Sequence, residues 1–462
     1  MFALQDPERP GLIDTPGRVS RALREALSGY AMSGADAVGG AVFKELRGGG
    51  GGGGGDGEEE TGGGGGAPSP PVVAVRGMHF SATDAATLLP FQGTASIAYV
   101  PQGGRVLGLS KAARLVDAFA RRLTTPAALA ADVLAALRAA LGLDEDAAAV
   151  CVRANAPGEA RLIDDFATGG GSELVAAEVI TGDPGLADMF AGAGADNGSV
   201  GSNAGGLRRG ALEQGRWGAV GNGGETVESC DVLATDEALA DDLAAMVLAS
   251  AGPPLEVVVA PDLAAENCAP PLRAAARRYI SALAARTAGQ RRGHSDPKTV
   301  PGSTPENDCA LMPAQTWAPP LPVGARWHAH VALDLHSTCE HHLLPFSGYA
   351  HVGCMLGADS SESERPIPRG EAQALVTHVA ARLQVQERIT EQVADAMYGL
   401  LCGSGGGNSA GVIVVLEAAH MCMAVRGVRQ PRAATLSVAA RGALDRGPAP
   451  AAAIVGALVR GR

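Results

Sequence analysis

Ser337-Thr338-Cys339-Glu340-His341-His342-Leu343-Leu344-Pro345-Phe346 ends in a tetrapeptide, Leu-Leu-Pro-Phe, that also stands far upstream as Leu88-Leu89-Pro90-Phe91. Around each copy the chain reads in the same order: strand, tetrapeptide, strand, two long helices, strand. In the first half a strand-like run covers Thr94–Val100, and Ala112, Leu115, Val116, Phe119 and Leu123 recur at helical spacing. Thr125 then offers a cap and Pro126 a first helical position for a second helix. The second half repeats this with strands at Trp327–Leu335, Tyr349–Met355 and Gly411–Glu417, the last reading as a buried strand. Its helices carry Leu375, Val379 and Leu383, then Ile389, Val393 and Met397. An Arg-Leu pair closes the first long helix in both halves, at Arg122-Leu123 and Arg382-Leu383. A diverged internal duplication follows, and it predicts two tandem α+β domains.

The punctuation agrees. Residues 48–66 are nearly pure glycine with an acidic patch, 191–227 form a Gly-rich linker, and 287–322 are rich in Pro, Arg, Asp and Ser. The expected domains are therefore 1–190 and 228–462. A length of 462 residues suits two cores better than one. Much of the 46% hydrophobic fraction is alanine, and aromatic residues are only 3%.

A net charge of −12 argues against a general nucleic-acid binder, whose affinity comes from clustered Lys and Arg. It leaves room for a small anion held by a few local cations. The eight cysteines are scattered without a compact framework, which suits reduced thiols. The N-terminal run, broken by acids and prolines, has no apolar signal-like core, and no run approaches a membrane span. A cytoplasmic protein with no membrane partner is the expectation.

The chemistry concentrates in the opening stretch. Cys339 and His342 form a C-x2-H pair that one turn can present to a single metal ion. The strand at Gly411–Glu417 leads to His420-Met421-Cys422, a second thiolate. Three protein ligands leave one tetrahedral zinc position open, the catalytic pattern. His341 and His420 remain as proton shuttles. Taken singly, a C-x2-H pair or a strand cysteine is equally readable as a small buried hydrophobe.

Ser-Thr-Cys-Glu-His-His-Leu-Leu-Pro-Phe (337–346), Gln-Val-Gln-Glu-Arg-Ile-Thr-Glu-Gln (384–392) and the Glu417–Val428 block, E-A-x-H-x-C-M-x-x-R-G-V, resemble three signature blocks of GTP cyclohydrolase I. They stand in that family's order, and Leu-Gly-Leu-Ser-Lys (107–111) with Arg114 resembles a fourth. The resemblance, to the tandem plant and algal kind, implies the tunnelling fold (T-fold): antiparallel sheet with paired long helices, assembled in rings. It implies Zn2+ on Cys339, His342 and Cys422, and acid–base roles for His341 and His420. It also implies a guanine anchor at Glu387 beside Gln386, a triphosphate cation at Arg426, and GTP opened to dihydroneopterin triphosphate. Rival readings are a regulatory pseudoenzyme of the same fold and a zinc hydrolase acting on another purine or pterin.

One departure divides the halves. Counting back from the shared Arg-Leu, Ser110, Lys111 and Arg114 fall opposite Gly370, Glu371 and Ala374. Counting back from Leu-Leu-Pro-Phe, Cys339, His341 and His342 fall opposite Asp84, Ala86 and Thr87, while Gln386 and Glu387 fall opposite Pro126 and Ala127. The front half is thus a degenerate copy that keeps Ser110 as a catalytic hydroxyl and Lys111 and Arg114 for phosphate, one helical turn apart. Each working site would combine both halves in a homo-oligomer.

Overall fold

The computed structural model describes residues 8–44, 72–159, 177–191, 234–251, 269–287, 323–358, 366–403, 410–431 and 433–445. Residues 48–66, the linker after 191 and most of 287–322 lie outside them, as do the domain limits at 227 and 228.

Two five-stranded sheets share one topology. In the front half helix α1 (Thr15–Ala26) precedes β1 (Val73–Asp84), β2 (Pro90–Tyr99), α2 (Leu109–Ala120), β3 (Leu123–Thr124), α3 (Pro126–Leu141), β4 (Ala148–Ala154) and β5 (Ala177–Gly182). Helices α4 (Ala234–Ala251) and α5 (Ala269–Arg286) lead into the rear half. There β6 (Arg326–Cys339), β7 (Pro345–Leu356), α6 (Arg369–Ala380), β8 (Leu383–Gln384), α7 (Gln386–Gly403), β9 (Gly411–His420), the one-turn α8 (Met421–Ala424) and β10 (Ala434–Gly442) follow. Strand order is β3-β1-β2-β4-β5 in front and β8-β6-β7-β9-β10 behind. The fold class is α+β, as the duplication predicts.

The long strands pair antiparallel, but β3 runs parallel to β1 and β8 to β6, so each sheet is mixed. This revises the sequence reading of Leu123 and Leu383 as last turns of a helix. Each helix stops at Ala120 or Ala380, and the leucine pairs with the strand that carries the tetrapeptide turn, opposite Thr83 or Thr338. Strand pairing outweighs helical spacing at both leucines, of which Leu383 is buried and Leu123 half-buried.

The helix pair covers one face of each sheet. Ala112, Leu115, Val116 and Phe119 of α2 and Leu129, Val133, Leu137 and Leu141 of α3 are buried in the front core. Ala372, Leu375, Val376 and Val379 of α6 and Ile389, Val393, Met397 and Leu401 of α7 fill the same places behind. The predicted cap is present: Thr125 accepts from the Ala128 amide at 3.2 Å, with Pro126 at the first turn.

Leu-Leu-Pro-Phe has a common conformational reason. Leu88 and Leu343 take the left-handed conformation (φ 57° and 55°), an uncommon one for a side chain of this size. Each donates its amide to the carbonyl four residues back, Asp84 or Cys339, at 2.9 Å. The next leucine carbonyl accepts from the same Asp84 or Cys339 amide, proline opens the new strand, and phenylalanine is fully buried.

A bulge also recurs, between Val75 and Met78 in β1 and between His330 and Leu333 in β6. Gly77 takes the positive φ of 66° freely; in the rear half Ala332 takes 52°, its carbonyl and that of Val331 clamped by Arg369 at 3.0 and 2.8 Å. Ala332→Gly should therefore raise stability by roughly 0.5–1 kcal/mol, the left-handed penalty less the entropy of glycine. A urea midpoint at or below wild type would contradict it.

The halves exchange their helices. Arg9, just before α1, reaches the rear turn at Glu340 (2.6 Å), and Thr15 Oγ1 donates to the Glu340 carbonyl at 2.9 Å. Conversely Arg278 of α5 donates to the Ala86 carbonyl of the front turn at 2.9 Å. Helices α1, α4 and α5 share a buried cluster of Leu27, Ala240, Ala244, Val247, Leu272, Ala276 and Ile280 around Leu88. Among the described residues no helix is long and apolar enough to cross a membrane.

Candidate metal centre and active site

The turn that Leu343 closes places Cys339 at the end of β6 and His342 three residues on. Strand β9 delivers His420 at its last position and Cys422 inside α8, so the second cysteine sits on a helical turn just past the strand. The two Sγ atoms and a ring nitrogen of His342 lie within 4.8 Å of one another. Cys339 Sγ and His342 Nδ1 are 3.7 Å apart, which matches the separation of about 3.5–3.8 Å that tetrahedral zinc imposes on its sulfur and nitrogen ligands. Two thiols and an imidazole are a soft donor set suited to zinc. The thiol pair is primed for it. The hydrogen bond from Cys422, followed by that from His342, holds the Cys339 thiol far below its usual range, while Cys422 is pushed up. The hydrogen bond between the two thiols couples them, and metal binding would release protons from the pair.

Gln386 lies just behind. Its Nε2, with two hydrogens to give, lies within donating distance of the carbonyls of Leu416 (3.1 Å) and Thr435 (2.9 Å) and of Ser437 Oγ (3.0 Å), which fixes the amide orientation. Oε1 is left to accept from His420 Nε2 at 2.7 Å. That bond places the imidazole proton on Nε2 and leaves the Nδ1 lone pair free. The ring stacks on Phe346 at 4.5 Å and 11°. Burial lowers its pKa, and the charges of Cys339 and Glu387 only partly restore it, so His420 is neutral at neutral pH. Gln386 thus reaches the site through His420, its whole amide being used inside the protein.

Glu387 is exposed in the first turn of α7, and its neighbour Arg388 turns away from it to Glu340. Arg426 Nη2 donates to His342 Nε2 at 2.6 Å. His341 is half-exposed, 3.8 Å from Glu340.

Sequence reading missed Glu340. Its carboxylate is 2% exposed and is held by Arg388 from α7 (2.7 and 3.0 Å) and by Arg9 from the front half (2.6 Å). Burial alone would raise its pKa; the Arg388 hydrogen bonds and the Arg388 and Arg9 charges outweigh that and lower it. A side chain at Gly11 would overlap this carboxylate. The available signal was the alignment itself, since the front half has Ala85 in its place.

The front turn shows what stands where the rear half has its cysteine–histidine cluster. Asp84, opposite Cys339, is fully buried, and its Oδ2 accepts from the amides of Ala86 (3.1 Å) and Thr87 (2.9 Å) and from Thr87 Oγ1 (2.8 Å). A carboxylate holds the turn by hydrogen bonds. Among the described residues Oδ1 has no partner, and burial raises the pKa over the lowering effect of those bonds and of Arg278. A raised acid pKa means that the folded state binds the proton more tightly, so stability falls as pH rises from about 3.9 through the folded value. Asp84→Asn should therefore gain on wild type between pH 4 and pH 7, read as the difference in urea midpoints. An equal difference at both pH values would refute the burial argument.

Ser110 and Arg114 are exposed and Lys111 half-buried along the start of α2. The positions of Ser110, Arg114, Asp117 and Arg121 form one helical stripe. Among the described residues none of the predicted trio bonds directly to the cysteine–histidine cluster. The link runs through Asp117, which receives Arg429 from the segment after α8.

The profile of GTP cyclohydrolase I matches residues 2–157 and again 329–457. GTP cyclohydrolase 1 of Solanum lycopersicum is 29% identical over 96% of this chain and 86% of its own length, and that of Arabidopsis thaliana 29% over 95% and 84%. GTP cyclohydrolase 1 of Mycobacterium leprae is 43% identical over a shorter stretch, 28% of this chain and 58% of its own. Two matched segments with one strand order, and plant relatives aligned nearly end to end, make this chain a tandem member of the GTP cyclohydrolase I family of hydrolases.

Proposed function

We propose that this protein hydrolyses GTP to 7,8-dihydroneopterin triphosphate and formate, the first step of folate and pterin biosynthesis, with Zn2+ on Cys339, His342 and Cys422. The observation that carries this is the convergence of those three donor atoms within 4.8 Å, in the family-matched rear segment. Zinc bound there supplies a Lewis acid able to acidify water toward neutral pH.

The chain's own residues do the rest. The exposed carboxylate of Glu387 accepts from the adjacent N1–H and 2-amino group of guanine, a donor pair that adenine lacks. His420, neutral and oriented by Gln386, takes or gives a proton at Nδ1; His341, half-exposed, exchanges protons with solvent. Arg426 holds the triphosphate. Ser110, Lys111 and Arg114 supply further phosphate contacts from the front half, with Ser110 also a hydroxyl donor. The front domain, 1–190, is then a degenerate partner for the rear domain, 228–462, in a cytoplasmic homo-oligomer.

The test is zinc content measured alongside fluorescence of the oxidised pterin after addition of GTP. One zinc per chain with GTP-dependent pterin upholds the reading. Zinc without product favours the regulatory alternative, and absence of zinc from protein purified without chelator overturns the metal assignment.

A further inference from the structure

We infer that the composite site is completed within a single chain: the phosphate-binding face of α2 serves the metal centre of its own rear half, and the Asp117–Arg429 ion pair is the latch that positions it. This rests on the function proposed above.

The segment Arg426–Arg429 spans the gap. Arg426 touches the His342 ring, and the Arg429 amide donates back to the Arg426 carbonyl at 3.2 Å, so four residues make one turn. Gly427 sits in it at φ 60° and donates its amide to Glu25 of α1 at 2.6 Å. Arg429 then grips Asp117 with both terminal nitrogens, one at 3.1 Å and the other closer. Asp117 is also held by Arg121 at 2.6 Å. Backbone and side chain together fasten this turn to two helices of the front half.

Asp117 lies on the stripe that carries Ser110 and Arg114. At 1.5 Å per residue, Arg114 is about 4.5 Å and Ser110 about 10 Å further along the helix axis. The latch therefore fixes the phosphate stripe relative to Arg426. The charges divide accordingly. Arg429 and Arg121 share the carboxylate of Asp117, whereas among the described residues Lys111, Arg114 and Arg426 have no acidic partner. In a chain of net charge −12, three unneutralised cations on elements held together suit a polyanionic substrate tail. The clamp of Glu340 on Arg9 and Thr15 ties the metal turn to the same front half from another direction. A site shared between different chains requires none of these contacts within one.

Subunit complementation separates the arrangements. A Cys339→Ser chain and a Lys111→Ala/Arg114→Ala chain, carrying different tags, are co-expressed, and assemblies holding both tags are purified. Assembly within one chain predicts no pterin formation above either variant alone. Sites shared between chains predict recovery to about a quarter of wild type, the chance that an intact rear half meets an intact front half, and that recovery overturns the inference. Mixtures of each variant with wild type should retain about half the activity, which shows that both variants assemble without damage. A wild type that is active as a monomer, with no mixed assembly to isolate, also upholds completion within one chain. An inactive wild type would instead sink the proposed function. Asp117→Asn supplies a second readout: a KM for GTP raised about tenfold or more, with kcat and zinc content retained. Unchanged KM removes the latch.

Discussion

Cys422→Ser is expected to strip the protein of zinc and to lower pterin formation about a thousandfold. The first effect follows from the donor set. Cys422 is one of only two sulfurs in the cluster, and a serine hydroxyl neither ionises near neutral pH nor matches the metal's softness. The second follows from arithmetic: metal charge stabilisation is worth several kcal/mol, and about 4 kcal/mol is three decades in rate. The fold should survive, because Cys422 is only partly buried beside its core and α8 is a single turn. Zinc by mass spectrometry, with circular dichroism as the folding control, decides it. A variant that keeps stoichiometric zinc would remove Cys422 from the ligand set.

Glu340→Gln should cost about 2 kcal/mol of stability. Losing one partner of a buried ion pair costs about 3–5 kcal/mol, and here both arginines keep roughly a third of their side-chain surface in water, which relieves part of the loss. The damage should be bipartite. Arg388 belongs to α7 and Arg9 to the segment before α1, so hydrogen exchange should quicken both at the start of α7 and over residues 10–26. A variant whose front helix stays as protected as wild type would show that the Arg9 contact contributes nothing to docking.

Much of this was legible in the sequence because the duplication repeats its hydrophobic spacing almost residue for residue: Leu115, Val116 and Phe119 against Leu375, Val376 and Val379. The meeting of Cys339 with His342 was legible because a turn brings near neighbours together, and the approach of Cys422 because a strand led to it. Leu123 and Leu383 misled because a two-residue strand between helices has no period of its own, and only pairing with a remote strand defines it. Asp84 read as a lost ligand, whereas its carboxylate took over holding the turn, a bond pattern that spacing cannot reveal. Gln386 stood beside Glu387 in one block, yet β9 and β10 claim its amide, and that depends on strands far along the chain. Glu340 was hidden for the same reason.

The clamp between Arg9 and Glu340 joins residues 331 apart. During synthesis at about 5–20 residues per second, roughly 15 to 65 seconds separate the emergence of one from that of the other. For that interval the amphipathic α1 has left the ribosome while the rear part of its docking surface, the turn at Glu340, does not yet exist. The chain therefore has to keep its first helix out of other associations longer than it takes to make the whole front sheet.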